Sequence, residues 1–353
     1  MMTSIQSNGY SIYIGKEIFK ALSSFLDKSK YSSYFILCDE NTLQLCLPTL
    51  ITSCSKLQTA EIIEIESGET SKSLEFSAHI WQTFIENNAD KKSLLINLGG
   101  GVVSDLGGFT ASVYKRGIDF INVPTSLLAM ADASVGGKTG LDFIGIKNVL
   151  GTFAQPKAVF IYPDYLNTLS SRHFQNGLAE VFKMALIADK KFWNLLKEEG
   201  QDEETLIIKS ISLKNKLVLN DPYDKGARKI LNFGHTIGHA IESLFLGSVN
   251  ELLHGEAVII GMLIESHIAY QKKMILKKEL DEIISGIPPY FTMQSLKSIP
   301  LDSLIELIKN DKKNHNDKFY FSLIDKIGSC KFDLIVTKNQ IKKAIDFYTT
   351  LTK

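Results

Sequence analysis

The chain has 353 residues, of which 44% are hydrophobic and 22% are charged. This composition supplies enough apolar material for a substantial core, and the length corresponds to roughly two domains, which argues against a disordered or fibrous protein. Lysine plus arginine total 39, as do aspartate plus glutamate. No excess of positive charge therefore attracts a nucleic acid at long range, and an anionic ligand must be held by a local cluster.

The cysteines and the N-terminus indicate the compartment. Cys38, Cys46, Cys54 and Cys330 have neither zinc-site spacing nor the density of a disulfide scaffold, so we expect buried thiols in a reducing compartment. The segment from Met1 to Lys16 lacks the pattern of a secretory signal, and the longest apolar patch, 257–264, is too short to span a bilayer. The sequence therefore predicts a cytoplasmic protein without a membrane segment.

Short apolar runs in the first half of the chain predict strands. They cover residues 34–39, 60–66, 93–98, 120–123 and 158–161. Helical patterns such as 73–87 lie between several of these runs. Strands that alternate with helices predict an α/β fold with a mostly parallel sheet that is covered on both faces.

The second half of the chain is predicted to be mainly helical. Apolar residues at three- and four-residue spacing cover 172–189, 192–199, 203–219, 228–245, 254–273 and 301–309. Residues 318–336 instead predict a hairpin, ahead of a last helix over 339–351. We place the boundary between two domains near residue 170, which gives domains 1–170 and 171–353.

A glycine triplet and the segment beyond it are candidate ligand contacts. Gly99, Gly100 and Gly101 follow a predicted strand and precede a helical pattern, so they could cradle a phosphate, although a tight connection explains the triplet equally well. The run 123–156 interleaves small and polar residues at a strand end, where open sheets bind ligands. A solvated surface loop is the weaker alternative. The polar groups of this run include Thr125, Ser126, Asp132, Lys138, Lys147 and Asn148.

Histidines and one carboxylate suggest a metal site. His235 and His239 share a helical face, and Glu180 precedes Lys183 by one turn on a largely apolar segment. With His254, Glu180 and His235 would give a divalent metal two nitrogens and one oxygen, as in catalytic zinc sites. Packed histidines and a simple Glu180–Lys183 ion pair remain the structural alternative.

Basic and amide groups surround these histidines. They are Lys214, Arg228, Asn232, Lys312 and Lys313. The spacing of Arg228, Asn232 and His235 puts them on one face of a predicted helix. Cations beside a metal suit a substrate with separate anionic groups, such as a carboxylate and a phosphate, although solvation explains any single lysine.

Motifs along almost the whole chain resemble those of the 3-dehydroquinate synthase family, within the sugar-phosphate cyclases. The motifs, in order, are SGETSK at 67–72, GGGVVSDLGGF at 99–109, VPTSLLAMADASVGGKTG at 123–140, KNVLGTFAQP at 147–156, GLAEVFK at 177–183, RKILNFGHTIGHAIE at 228–242 and HGEAV at 254–258. Their order and spacing together are highly specific.

The resemblance implies a Rossmann-like N-terminal domain, a helical C-terminal domain and an active site in the cleft between them. Family members use NAD and a divalent metal, zinc or cobalt, to convert 3-deoxy-D-arabino-heptulosonate 7-phosphate to 3-dehydroquinate and phosphate. The cycle consists of transient oxidation, phosphate elimination, reduction, ring opening and aldol closure. A homodimer is also implied.

The resemblance assigns residues to three roles. The metal ligands would be Glu180, His235 and His254. The NAD contacts would be Asp39, Ser67, Gly68, Glu69, Thr70, Ser71, Lys72, Gly101, Val102, Val103, Ser104, Asp105, Thr125, Ser126, Lys138, Lys147, Tyr165, Leu166, Asn167 and Thr168. The substrate contacts would be Asp132, Lys138, Asn148, Lys183, Lys214, Arg228, Asn232, His239, one of Lys312 or Lys313, and Arg116 from a neighbouring subunit. Our own hypothesis, beyond the resemblance, is that much of the proton transfer is done by the substrate's own phosphate, with His239 assisting.

Three other functions compete with this interpretation. Another sugar-phosphate cyclase would share the fold, NAD and metal but would not need the carboxylate-side groups Lys214, Arg228 and Asn232. A polyol dehydrogenase would release NADH and need fewer cations. A binding protein without turnover would have a broken site, whereas every position that matches the family here is chemically competent.

Overall fold

The computed structural model describes residues 2–144, 146–198, 200–297, 299–309 and 318–352. Lys312 and Lys313 lie outside these residues. The chain forms two compact units, the first made of Met1–Ser170 and Asp202–Tyr223 and the second of Ser171–Gln201 and Asp224–Lys353. A division at residue 170 would place helix α8 (Glu203–Asn220) in the second domain, whereas in the structure α8 belongs to the first unit.

A mostly parallel sheet forms the centre of the first unit. The strands of this unit are β1 (Met2–Gln6), β2 (Ser11–Gly15), β3 (Tyr34–Asp39), β4 (Glu61–Ile65), β5 (Leu94–Gly99), β6 (Asp119–Pro124), β7 (Lys138–Phe143), β8 (Ile146–Phe153) and β9 (Ala158–Ile161). Strands β7 and β8 form a separate two-stranded sheet, and the others form the large sheet. Among the described residues, the large sheet has the order β1-β2-β9-β6-β5-β3-β4. All neighbours in it are parallel except β1 and β2, which confirms the predicted α/β architecture.

Helices cover this sheet. They are α1 (Ile18–Lys28), α2 (Glu40–Leu45), α3 (Leu47–Ser53), α4 (Leu74–Glu86), α5 (Gly101–Val113) and α8. Strand β5 is buried along its whole length, as expected for a parallel strand that is covered on both faces. Apolar side chains of β3, β5, α4 and α5, such as Phe35, Leu95, Phe84 and Leu106, form one buried cluster.

The second unit is mainly helical. It contains α6 (Ser171–Ala188), α7 (Lys190–Leu196), α9 (His235–Phe245), α10 (His254–Gln271), α11 (Lys277–Gly286), α12 (Leu301–Lys309) and α13 (Lys338–Leu351), with the hairpin β10 (Phe319–Lys326) and β11 (Ser329–Val336). Most of α10 is buried, because its sequence is apolar on all sides. Among the described residues, none of the helices combines the length and the hydropathy that a membrane-spanning segment needs.

The predicted continuous helix over 228–245 is wrong. Residues Ala227–Asn232 form a 3₁₀ segment, and α9 begins only at His235, after Gly234 with φ 81°. This left-handed backbone interrupts the helix. Arg228 and Asn232 therefore do not share a helical face with His235. The hairpins β1–β2 and β7–β8 are further elements that the apolar runs did not predict.

Candidate active site

Three helices of the second unit bring together the predicted metal ligands. Glu180 lies on α6, His235 is the first residue of α9, and His254 is the first residue of α10. One ligand atom from each lies within 4.8 Å of the others. Glu180 Oε1 is 3.6 Å from Nε2 of each histidine.

This geometry fits a divalent cation. At 3.6 Å neither imidazole is close enough to hydrogen-bond Glu180 Oε1, and this fully buried oxygen has no hydrogen-bond partner among the described residues. A buried polar atom without a partner is costly. Two imidazole nitrogens and one carboxylate oxygen are also a ligand set of catalytic zinc sites, which keep a further position open.

Close contact between α6 and α10 explains how Glu180 reaches His254. Gly255 donates its N–H to the side-chain oxygen of Asn176 at 2.5 Å. A Cβ at Gly255 would lie 2.1 Å from the Asn176 backbone oxygen, so a larger residue could not occupy this position without separating the helices. Asn176 is one helical turn before Glu180, so the contact brings the carboxylate to the start of α10.

The charges around the ligands favour an ionised carboxylate. Burial by itself would raise the pKa of Glu180, but the positive charges of Lys183 and His254 outweigh burial and lower this pKa. The Lys183 ammonium pairs with Glu180 Oε2. Burial, with the charge of Lys183, lowers the pKa of His235 far below its usual value, so this imidazole is neutral. A neutral imidazole and an ionised carboxylate are the forms that bind metals.

Glu242 is a neighbour that the sequence analysis missed. Its carboxylate is buried, and Oε2 lies 3.4 Å from Nδ1 of His254. Burial by itself would lower the pKa of His254, but the Glu180 and Glu242 carboxylates outweigh burial and raise it to about 10. Without a metal this imidazole is therefore protonated, and a metal that binds Nε2 displaces that proton. The carboxylate thus holds one imidazole nitrogen while the other faces Glu180, as in carboxylate–histidine–metal arrangements. In the sequence, Glu242 is marked only by its position one helical turn after His239.

In the first unit, the candidate cofactor residues lie where the strand order reverses. From β3 the chain adds β4 on one side and then returns to add β5 on the other. Open sheets bind ligands beyond the carboxyl ends of strands at such a point. Asp39 ends β3 and Gly99 ends β5, so both flank this position. Asp39 also caps α2 by accepting a hydrogen bond from the Thr42 N–H at 2.8 Å.

The start of α5 fits the pyrophosphate of a dinucleotide. Gly100 is the N-cap, and no side chain caps the helix there. A Cβ at Gly100 would lie 3.3 Å from Ser126 Oγ, which is tight for a side chain. An uncapped helix start after a parallel strand presents N–H groups and a positive dipole end to an anion.

A buried lysine links three predicted contact residues beside α5. The Lys72 ammonium donates to Asp105 Oδ2 and to Asn148 Oδ1, each at 2.6 Å, and lies 3.9 Å from Glu69. Burial by itself would lower the pKa of Lys72, but the charge of Asp105 outweighs it and the pKa is raised. Asn148 has φ 51° and donates its N–H to Asp142 at 2.7 Å. The lysine therefore fixes the direction of the Asn148 amide.

A second buried lysine of this unit forms an ion pair that joins α8 to the π-helical segment Ala129–Ala133. The buried Lys214 ammonium lies 2.9 Å from Asp132 Oδ1 and donates to the Asp132 backbone oxygen at 2.7 Å. Single π-turns are frequent at functional sites. The structure therefore brings together two residues that lie far apart in the chain and that the sequence analysis named only separately.

The remaining predicted residues lie in varied surroundings. Arg116 and Lys138 are exposed in the first unit, and His239 is exposed in the second, with its ring centre 5.1 Å from that of His235. Arg228 is buried, and Asn232 is partly exposed and donates to the Lys229 backbone oxygen.

Family models cover most of the chain. The model described as 3-dehydroquinate synthase N-terminal matches residues 62–176, and the 3-dehydroquinate synthase C-terminal model matches residues 177–314. A 3-dehydroquinate synthase from Parabacteroides distasonis is 37% identical over 343 residues, which cover 96% of this chain and 97% of that protein.

Solved structures share the fold. ValA, a 2-epi-5-epi-valiolone synthase from Streptomyces hygroscopicus with NAD+ and Zn2+ bound, matches with a TM-score of 0.86 and 24% identity over 99% of both chains. A 2-deoxy-scyllo-inosose synthase complexed with carbaglucose-6-phosphate, NAD+ and Co2+ matches with a TM-score of 0.82 and 23% identity, over 97% of this chain and 99% of that one.

Proposed function

The chain belongs to the 3-dehydroquinate synthase family, and on that premise we propose that it converts 3-deoxy-D-arabino-heptulosonate 7-phosphate to 3-dehydroquinate and phosphate. The steps are transient oxidation by NAD, phosphate elimination, reduction, ring opening and intramolecular aldol closure. The reaction makes the protein a carbon–oxygen lyase of the shikimate pathway with a small-molecule substrate.

The observation that carries the proposal is the ligand set of the second unit. Glu180, His235 and His254 present an ionised oxygen and two nitrogens within 4.8 Å of one another. These three residues would hold a zinc or cobalt ion, the metals bound in the related solved structures. Bound metal supplies a Lewis acid, and bound NAD a reversible hydride acceptor.

The roles of the chain's own residues follow from their charges. Lys183 neutralises one Glu180 oxygen and leaves the other directed at the histidines. Arg228 and Asn232 would bind anionic and hydroxyl groups of the substrate, and the imidazole of His239 would hold or release a proton. In the first unit, the α5 start would bind the NAD pyrophosphate, and Lys72 would orient Asn148.

Another sugar-phosphate cyclase activity fits less well. The relative named 3-dehydroquinate synthase is 37% identical, whereas the two solved cyclases with other products are 24% and 23% identical. The groups expected on the carboxylate side of the substrate, Lys214, Arg228 and Asn232, are all present.

Phosphate release tests the proposal. We expect chelator-treated protein to release phosphate from 3-deoxy-D-arabino-heptulosonate 7-phosphate only after zinc is restored and catalytic NAD is present, without net NADH absorbance. His235→Asn should abolish release, while His173→Asn, an exposed histidine of α6, should leave it unchanged. No release by the metal- and NAD-loaded parent would refute the proposed activity.

We further propose that the protein works as a cytoplasmic homodimer. The free thiols of Cys38, Cys46, Cys54 and Cys330 suit a reducing compartment. Apolar residues exposed at the β7–β8 turn, Phe143, Ile144 and Ile146, are suited to contact with a second copy. Analytical ultracentrifugation should give twice the chain mass, and a single-chain mass at working concentration would refute the dimer.

A further inference from the structure

A buried carboxylate outside the ligand set lies at the start of α9. Glu265 on α10 has no exposed surface. Its Oε2 accepts the N–H of Gly234 at 2.6 Å, and its Oε1 accepts the N–H of Ile237 at 3.1 Å. These N–H groups flank His235, the first residue of α9.

The carboxylate replaces a cap that α9 lacks. A helix start leaves N–H groups without partners, and usually an N-cap side chain binds one while a side chain in the first turn binds another. The N-cap of α9 is Gly234, and no side chain of its own segment provides a cap. Glu265 serves both N–H groups from a different helix, and its charge lies at the positive end of the α9 dipole.

Packing explains why the cap comes from α10. A Cβ at Gly234 would lie 2.5 Å from the Met262 side chain, and a Cβ at Gly261 would lie 1.9 Å from the Gly234 oxygen. The two helices thus approach too closely for a larger residue at either glycine. At this separation the Glu265 side chain reaches both N–H groups.

We propose that Glu265 is a positioning residue that fixes His235 relative to His254. Both His254 and Glu265 lie on α10, about three helical turns apart. Helix α10 therefore supplies one metal ligand and also holds the residue that carries another. Because the two N–H groups are held by opposite oxygens of one carboxylate, α9 cannot rotate without breaking a buried hydrogen bond. This inference rests on the proposed metal site.

Zinc affinity of the intact protein tests the proposal. In Glu265→Gln, one oxygen becomes an amide donor that faces a backbone N–H, and the charge at the helix start is lost. We expect the zinc dissociation constant, measured by competition with a chromophoric chelator, to rise about tenfold or more. The visible spectrum of bound Co2+ should also change, because the ligand geometry changes.

A matched control is Glu279→Gln. The Glu279 carboxylate also accepts two backbone N–H groups, those of Leu276 and Ile327, but at the start of α11. The Glu279→Gln substitution should lower the stability of the protein without changing its zinc affinity or the Co2+ spectrum. If Glu265→Gln does not fold, Glu265→Asp keeps the charge but cannot reach both N–H groups, and the same rise in the dissociation constant is expected.

The outcomes separate the two proposals. An unchanged zinc dissociation constant and Co2+ spectrum in a folded Glu265 variant would overturn the role of Glu265 and leave the metal site intact. Failure of the parent protein to bind zinc would instead refute the metal site itself. If the zinc dissociation constant of Glu279→Gln rises as much as that of Glu265→Gln, the effect is a general loss of stability and Glu265 does not specifically position His235.

Discussion

At the scale of single residues, Glu242 decides which nitrogen of His254 faces the other ligands. Its carboxylate lies 3.4 Å from Nδ1, which leaves Nε2 directed at Glu180. Replacement by glutamine removes the charge but keeps the shape. We expect Glu242→Gln to weaken zinc binding about 10–100-fold, as loss of such partners typically does.

Chelator competition on Glu242→Gln measures this effect. Glu306→Gln, on the exposed face of α12, is the control and should bind zinc like the parent. Equal affinities for the two variants would show that Glu242 does not orient His254.

In the first unit, Lys72 is a buried residue that orients its neighbours through hydrogen bonds. It is 4% exposed and holds Asp105 and Asn148. We expect Lys72→Met to lower the free energy of unfolding by about 3 kcal/mol, because it leaves a carboxylate without its cation. Urea denaturation measures the change. Lys157→Met, whose cation is half-exposed and 3.3 Å from Asp119, should cost less than about 1 kcal/mol.

A double variant distinguishes pairing from packing at Lys72. Adding Asp105→Asn to Lys72→Met removes the carboxylate that was left alone, so part of the lost stability should return. If the two changes are simply additive, the ion pair does not account for the effect.

At the scale of secondary structure, the close crossing of α9 and α10 determines the second unit's site. Alanine normally favours a helix over glycine by about 1 kcal/mol. At Gly261, however, the added carbon would meet the Gly234 oxygen at 1.9 Å. Overpacking against backbone outweighs the propensity, so Gly261→Ala should destabilise the protein by about 1–3 kcal/mol.

Thermal or urea unfolding checks this prediction. Gly101→Ala is the control, since its added carbon would lie 3.5 Å from Ala133, an ordinary contact. A Gly261→Ala protein as stable as the parent would mean that α9 and α10 can separate without cost.

Much of the architecture could be predicted because it depends on local periodicity. The buried strand β3 and the amphipathic helices of the second unit carry the patterns that parallel sheets and packed helices require. The start of α9 could not be predicted, because it depends on Gly234 and on Glu265, which belongs to a different helix. The β7–β8 hairpin was missed because its glycines and polar residues indicate a loop as readily as strands.

The site was predictable to a similar degree. Residue types and motifs indicated Glu180, His235 and His254, but no spacing rule shows that three helices converge. Convergence depends on close contacts such as Gly255 against Asn176, which join residues far apart in the sequence. Glu242 and Glu265 escaped notice for the same reason.

At the scale of the whole molecule, buried thiols lower the free energy of unfolding at alkaline pH. Burial raises the pKa of Cys38 to about 12 and that of Cys46 to about 11, from an ordinary value of 9.0. The folded state therefore keeps protons that the unfolded state releases above pH 9. Stability from this source is fully present below pH 9 and is lost as pH rises towards 12.

Urea denaturation at pH 8 and pH 10.5 measures this loss. The parent should lose more stability between the two values than Cys38→Ala/Cys46→Ala, which lacks both titrating groups. Equal losses in the two proteins would assign the alkaline effect to other groups.

Because α8 belongs to the first compact unit although it follows α6 and α7 in sequence, neither unit is a single continuous stretch of chain. A fragment that ends at Ser170 would lack α8, whose Ile207, Ile211 and Val218 are fully buried, and would lose the Lys214 partner of Asp132. The gene therefore cannot be divided at one position into two self-sufficient modules. Recombination between relatives would have to exchange α8 together with the segment Met1–Ser170 to preserve both interiors.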